Sequence, residues 1–439
     1  MAGGEYKRPK QPLTLGRALA TLVKFVLYVS FRVIYEIYSI VHDQIWPLKS
    51  DKVSVCRILW RDKCTDIDTA RKYDFLMQHQ HYIDPNVLLT NSRWSLYTFS
   101  EENAYFVRTG QPIHEYDIVN TPFIYWKQYT DADLVGVMKI GDMVRLADKA
   151  NDHSSRTVWY ANCPRSGSTL ISQLLYVRDA SVVFGEPDPF ALIGIHYELD
   201  VWTHERCARV LKAALKLFTH HVPDGQVCVL KIRPNSNILA SMLHEHVPNV
   251  RQMFAFRRDI AKMVHSTERA MVASVHLPMC LVKWLKNRRL MHWYIGMSLY
   301  ERLAIATAQP ASNIELAWIA ACAPYARFVR DRHLYDIVTT YEDVLNEPQH
   351  EMTRLFSLCG LPLSHVSDAL ERMAHDSQQN TAVSRKRLRH VHATNASDVH
   401  PDCARRVARI LHLPDRFFID NYVHDDFTKP EPVVANGSW

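Results

Sequence analysis

Thr157-Val-Trp-Tyr-Ala-Asn-Cys-Pro-Arg-Ser-Gly-Ser-Thr-Leu-Ile-Ser-Gln-Leu-Leu175 passes from one apolar stretch through a short polar turn into another. The first residues are β-branched and aromatic and read as a buried strand. Leu170, Gln173, Leu174 and Leu175 fall at helical spacing. A strand, a tight turn and a helix N-terminus make an anion site, with the amides of Ser166, Gly167, Ser168 and Thr169 aimed inward and Gly167 allowing close approach. Set on the nucleotide-triphosphate template G-x-x-x-x-G-K-[ST], the chain has Asn162 for the first glycine and Ser168 for the lysine. That lysine grips the β- and γ-phosphates, so its loss argues against ATP or GTP hydrolysis. Arg165 instead brings a guanidinium able to fork onto two oxygens of a phosphate or sulfate.

Outward from this loop, short apolar runs at 157–161, 182–184, 227–232, 253–256 and 336–340 alternate with helical stretches, the pattern of βαβ units around a parallel sheet. Pro164-Arg165-Ser166-Gly167-Ser168-Thr169-Leu170 resembles the 5′-phosphosulfate loop of the sulfotransferase superfamily, closest in style to its protein-tyrosine and glycan members. Phe254-Ala-Phe-Arg-Arg-Asp-Ile-Ala-Lys-Met-Val-His-Ser266 resembles the 3′-phosphate segment, with Arg258 and Ser266 at the family's spacing and Ile260 in place of its usual proline. Val338-Thr-Thr-Tyr-Glu-Asp-Val-Leu345, then Pro348 and Gly360-Leu361-Pro362, is similar to the strand and capping helix that close such cores, with Glu342 and Asp343 read as structural.

The resemblance implies an α/β, P-loop-like three-layer fold with a central parallel sheet, here carrying a helical N-terminal extension. It implies a donor, 3′-phosphoadenosine-5′-phosphosulfate (PAPS), bound by residues Arg165 to Leu170 with Arg258, Ser266 and Arg385, and no metal. Arg385 lies in Ser377 to Arg389, which resembles the superfamily's C-terminal lid, although Arg387 replaces the glycine of cytosolic members. Lys231 resembles a strand-end lysine directed at the bridging oxygen, opposite Arg165. For the base, Glu186 in Phe184-Gly-Glu-Pro-Asp-Pro189 is expected to have a pKa raised by desolvation, with Asp188 and His196 as alternatives. The rival readings are a P-loop kinase or nucleotidase, an inactive relative serving as a binding module, and a membrane adaptor centred on the N-terminal residues.

The 439 residues divide into 1–50, an amphipathic or membrane-anchoring helix; 51–150, a helical and aromatic extension; 151–362, the core; and 363–439, lid and tail. In the extension the stretch 66–80 reads as helical, and aromatics such as Trp94, Tyr97, Tyr105 and Tyr125 read as a cover for the site. A net charge of +6 is too mild for nucleic-acid binding. Nine cysteines without a C-x-x-C pair signal neither zinc nor a dense disulfide frame, and the pairs His79 with His81 and His220 with His221 lack further ligands. Lys7, Arg8, Lys10 and Arg17 precede an apolar stretch over 18–41 that Lys24, Arg32 and Glu36 interrupt along one helical face. That pattern predicts a helix lying on a membrane or on the protein's own body. The compartment stays open between cytoplasm, a membrane surface and a Golgi membrane, the sequons at Asn395 and Asn436 deciding nothing. The acceptor, whether glycan, protein, phenol or lipid, is likewise open, with the aromatics of 284–300 as candidate pocket residues.

Overall fold

The computed structural model describes residues 15–63, 69–274, 313–379, 381, 384, 388 and 401–413. Arg385, the aromatics of 284–300 and both sequons lie outside them. The first part of the chain runs α1 (Leu15–Ile45), β1 (Val53–Arg61), β2 (Phe75–Ile83), α2 (Val87–Thr90), β3 (Trp94–Phe99), β4 (Asn103–Arg108), α3 (Ile124–Asp131), β5 (Leu134–Lys139) and α4 (Ile140–Ala147). Its strands form one antiparallel sheet in the order β2-β1-β5-β4-β3.

The expected helix over 66–80 is therefore corrected. Within it, Lys72–Asp74 is a single 3-10 turn, and Phe75 opens a strand that pairs with β1 from Arg61↔Phe75 to Val53↔Ile83. Leu76, Met77 and Gln78 tolerate a helix well, so the local preference is overridden by pairing with a distant strand. The extension as a whole is a sheet with short helices, and Trp94, Tyr97 and Tyr105 are buried in its interior. A buried ion pair, Lys63 to Asp74 at 3.0 Å, lies beneath it, and the Tyr97 hydroxyl donates to the same carboxylate.

The second part runs β6 (Thr157–Asn162), α5 (Ser168–Leu174), β7 (Ser181–Gly185), α6 (Asp188–Glu198), α7 (His204–Thr219), β8 (Val227–Lys231), α8 (Ala240–His246), β9 (Arg251–Phe256), α9 (Ile260–Ser274) and α10 (Asn313–Asp331). It ends with β10 (Ile337–Thr340), α11 (Tyr341–Asn346), α12 (Pro348–Cys359), α13 (Val366–Leu370) and α14 (Pro401–Ile410). All five expected strands are present and form a parallel sheet in the order β10-β9-β6-β8-β7. Both faces are covered, which explains why β6 is buried along its whole length. Val158 and Tyr160 pack with Leu170, Met352 and Phe356 of α5 and α12. Trp159 and Ala161 point to the other face, into a core shared with Leu211 of α7, Phe328 of α10 and the antiparallel sheet's Leu96 and Phe106. The result is a three-layer α/β fold with a second sheet joined through a continuous apolar core. Cys56, Cys163, Cys207, Cys228, Cys322 and Cys359 are free and buried.

Gly185 marks one point where the two parts meet. A Cβ there would sit 2.0 Å from the Pro122 carbonyl oxygen, backbone against backbone with no side chain able to swing aside. Gly185→Ala is expected to cost about 2 kcal/mol, read as a lower midpoint in chemical denaturation. An unchanged midpoint would mean that the two segments do not approach this closely.

Candidate functional site

Counted from β6, the parallel strands lie in the order 2-3-1-4-5, so the chain turns to opposite sides of β6 before and after β8. In open sheets ligands bind outside the carboxyl ends of the strands at such a switch point. A cleft of about 600 Å³ opens there. Every parallel strand sends a residue into it from its carboxyl end: Asn162 from β6, Glu186 after β7, Lys231 from β8, Arg257 after β9 and Tyr341 after β10.

The expected phosphate loop forms the cleft's edge. Arg165 and Gly167 both take left-handed backbone conformations, with φ of 59° and 77°. For Gly167 this is inexpensive, and it has a second reason to be glycine: a Cβ would fall 2.1 Å from the ring of Tyr341. For Arg165 the conformation is strained, of the kind that persists where surrounding contacts enforce it. Its Nε donates to Ser266 Oγ at 2.9 Å and its Nη1 to Gln378 Oε1 at 2.6 Å. Burial pulls the Arg165 pKa down to about 10, and the group remains cationic at neutral pH. Ser168, Thr169 and Leu170 line the cleft, and their amides precede any intrahelical partner. Ser166 does not face the cleft; it is buried and donates its hydroxyl to the Cys163 carbonyl at 2.7 Å, closing the turn.

Across the floor, Lys231 and Glu186 form a buried ion pair, and Arg233 pairs with Asp188 while lying 3.7 Å from Glu186. Glu186 also holds a left-handed φ of 55°. Its carboxyl departs from the expectation of a raised pKa. Burial pushes it up, but Lys231, Arg233 and Arg165 together outweigh burial and hold it below the ordinary carboxylate range. Burial in turn lowers the Lys231 ammonium. Asp188 is fully buried and accepts from the Ala70 N–H at 2.6 Å, so it ties α6 to the first part of the chain and does not line the cleft. His196 stacks on Trp202, ring centres 4.3 Å apart, also away from the cleft lining. Of the three expected bases, only Glu186 is in place.

Arg258 is a second correction. It turns onto Asp343 at 3.2 Å and Thr340 at 3.3 Å, and its backbone N–H donates to Glu342, leaving Arg257 to line the cleft. Side chains alternate at a strand end, and here the register places the first arginine of the pair inward. Glu342 and Asp343 thus serve the structural role expected of them. Ser266 lines the cleft as expected, with Lys262, His265 and Arg269 beside it on one face of α9. That face was legible as an i, i+3, i+4, i+7 pattern starting at Lys262. The lid-like segment brings Ser377, Gln378 and Leu388 to the cleft, and Gln173 donates to the Ser377 carbonyl at 3.0 Å. Phe123 and Tyr125 form a wall, with the Arg233 guanidinium 4.1 Å from the Tyr125 ring centre.

The cleft lining contains six Lys and Arg side chains, Arg165, Lys231, Arg233, Arg257, Lys262 and Arg269, against two carboxylates, Glu186 and Asp376. The Nε groups of Arg257 and Arg269 are shielded from solvent and make no hydrogen bond among the described residues, although that of Arg257 lies 3.6 Å from Glu342 as an ion pair. Buried donors without partners call for an acceptor. Outside the cleft, His204, Glu245 and His246 bring potential metal-ligand atoms within 4.8 Å of one another on the surface. No family model matches the sequence, and no curated protein matches it significantly.

Because Glu186 is held below its ordinary pKa, it contributes stability fully above that value and loses the contribution as pH falls through the depressed folded pKa. Glu186→Gln is expected to cost about 3 kcal/mol near pH 7 by leaving Lys231 buried without its counter-charge. Unfolding curves taken at successively lower pH should show the gap to wild type closing below the ordinary carboxylate range. A gap that stays constant with pH would rule out the charge as its source.

Proposed function

We propose that the cleft binds PAPS and that the protein transfers its sulfuryl group to a hydroxyl or amine of an acceptor. The observation that carries this reading is the excess of cations, with a buried Arg269 Nε that has no hydrogen bond among the described residues, around a strand-turn-helix loop that lacks the triphosphate-gripping lysine. A ligand with two phosphate groups suits two cationic patches that adjoin at the contact of Arg165 with Ser266. The loop of Arg165, Ser168 and Thr169 is one, and the α9 face of Ser266 and Arg269 with Arg257 is the other. A magnesium triphosphate suits it less well, because Glu186 is already engaged by Lys231 and lies close to Arg233.

In the transfer, the acceptor oxygen or nitrogen attacks sulfur in line. The bond from sulfur to the bridging phosphate oxygen breaks, and the bisphosphate leaves with that electron pair. Positioning and electrostatics supply most of the acceleration. Lys231 stabilises the charge growing on the bridging oxygen, with Arg165 acting on the phosphate side. Glu186 accepts the acceptor's proton. Its depressed pKa makes it a weak base in the resting cleft, but the cation that depresses it most is the one drawn to the leaving group. As Lys231 turns towards that oxygen, Glu186 gains proton affinity when the proton must be taken.

Calorimetric titration with 3′-phosphoadenosine-5′-phosphate beside ATP with magnesium tests the donor. Binding of the bisphosphate should weaken about 10- to 100-fold in Arg165→Ala and in Arg257→Ala, as expected for a charged hydrogen bond. Arg258→Ala should leave affinity near wild type if the protein remains folded. Preference for ATP, or no binding of the bisphosphate, would overturn the proposal. A large loss confined to Arg258→Ala would restore the family's assignment over the observed register.

A further inference from the structure

Helix α1 packs on the protein with its polar face. Arg32, Tyr35 and His42 are buried, at 7%, 3% and 7% exposure. The Arg32 guanidinium stacks 3.0 Å from the centre of the Tyr73 ring, and the Tyr35 hydroxyl donates to the Lys72 carbonyl at 2.9 Å. Glu36 pairs with Lys72 at 3.4 Å, and His42 Nε2 accepts the His79 N–H at 3.1 Å. Two of the charges that interrupt the apolar stretch in sequence, Arg32 and Glu36, are thus engaged by the body of the protein.

The opposite face is aliphatic. Val23, Leu27, Ile34, Ile37, Val41 and Ile45 follow one another at helical spacing and are each 50% or more exposed. Leu19, Val26, Val33 and Ile40 are equally open and widen the stripe. Singly exposed aliphatics need no explanation, but a continuous stripe along a 31-residue helix, about 46 Å long, marks an interaction surface. Between Glu5 and Glu36 the chain carries, besides the buried Arg32, Lys7, Arg8, Lys10, Arg17 and Lys24 and no acid. An apolar stripe flanked by basic residues matches a bilayer with anionic headgroups.

We infer that α1 is an in-plane membrane anchor. It lies in the headgroup region of an anionic bilayer with its aliphatic stripe towards the acyl chains and the two-sheet body attached to its polar face. No helix among the described residues is long and apolar enough to cross a membrane. Insertion across the bilayer would also strip Arg32, Tyr35 and His42 of their partners. A second copy fits the stripe less well, because it is broader than a two-helix seam and pairing would bring basic segments together.

Flotation of the full chain with vesicles of phosphatidylcholine, with and without phosphatidylserine, tests this inference. The protein should float with the anionic vesicles and be released by salt. Ile34→Asp with Ile37→Asp should reduce partitioning by roughly a hundredfold, as expected on withdrawing two aliphatic side chains from lipid. Both positions are exposed, so circular dichroism and the thermal midpoint should stay at wild-type values. Lys7→Glu with Arg8→Glu and Lys10→Glu should weaken binding about tenfold or more on anionic vesicles only. Failure to float, flotation indifferent to the isoleucine changes, or a dimer in light scattering that those changes dissolve without any vesicle binding would each overturn it.

Discussion

Two buried ion pairs side by side, Lys231 with Glu186 and Arg233 with Asp188, determine much of the cleft. Both cations leave the end of β8 and both acids follow β7, so the pairs fasten neighbouring parallel strands at the point where their ladder ends, its last bond running from the Glu186 N–H to the Lys231 carbonyl at 2.6 Å. Asp188 also receives the Ala70 amide, and Arg233 lies over Tyr125, which extends the network to the first part of the chain. Removing either partner would leave a charge in low dielectric, so the groups persist together. The pair nearer the cleft is the less enclosed: Glu186 retains 16% of its exposure, whereas Asp188 retains none. Asp188 is therefore structural, whereas Glu186, Lys231 and Arg233 all line the cleft.

The antiparallel sheet has a place in this arrangement beyond support. Gly185 allows the Pro122 backbone to come against the end of β7, which delivers Phe123 and Tyr125 to the cleft. The parallel sheet supplies charge from its strand ends, and the start of α3 supplies aromatic surface. A cleft built this way sets aromatic rings beside its cations, Phe123 5.5 Å from Lys231 and Tyr125 4.1 Å from Arg233.

The parallel core was legible because its strands are short, apolar on both faces and separated by helical stretches, so periodicity and length agree. The phosphate loop was legible for a related reason: Arg165, Gly167 and Thr169 sit at fixed offsets within one strand-turn-helix unit, where geometry is local. What could not be read depended on distant partners. Phe75 to Ile83 became a strand only by pairing with β1, and no local preference announces that. Arg257 and Arg258 are indistinguishable in sequence, and the choice between them is made by Glu342 and Asp343, more than eighty residues away. The Glu186 pKa was misjudged in direction because burial was visible as an expectation, whereas the converging cations from β8 and the loop were not.

The resting state of Arg165 completes the electrostatic argument. Six cationic side chains face two carboxylates in the cleft lining, and Glu186 is taken up by Lys231. Arg165 hydrogen-bonds to uncharged partners, the Ser266 hydroxyl and the Gln378 carboxamide, while its backbone is held left-handed. Neutral acceptors satisfy a guanidinium's geometry but contribute roughly half of what an anion does. They also come from the two elements that would enclose a ligand, α9 and the segment after α13. An entering anion therefore exchanges neutral hydrogen bonds for charged ones at the cost of releasing Ser266 and Gln378. Those two groups would then be free to bind other parts of the same ligand, so the contacts that hold Arg165 at rest are placed to become contacts to the anion that displaces them.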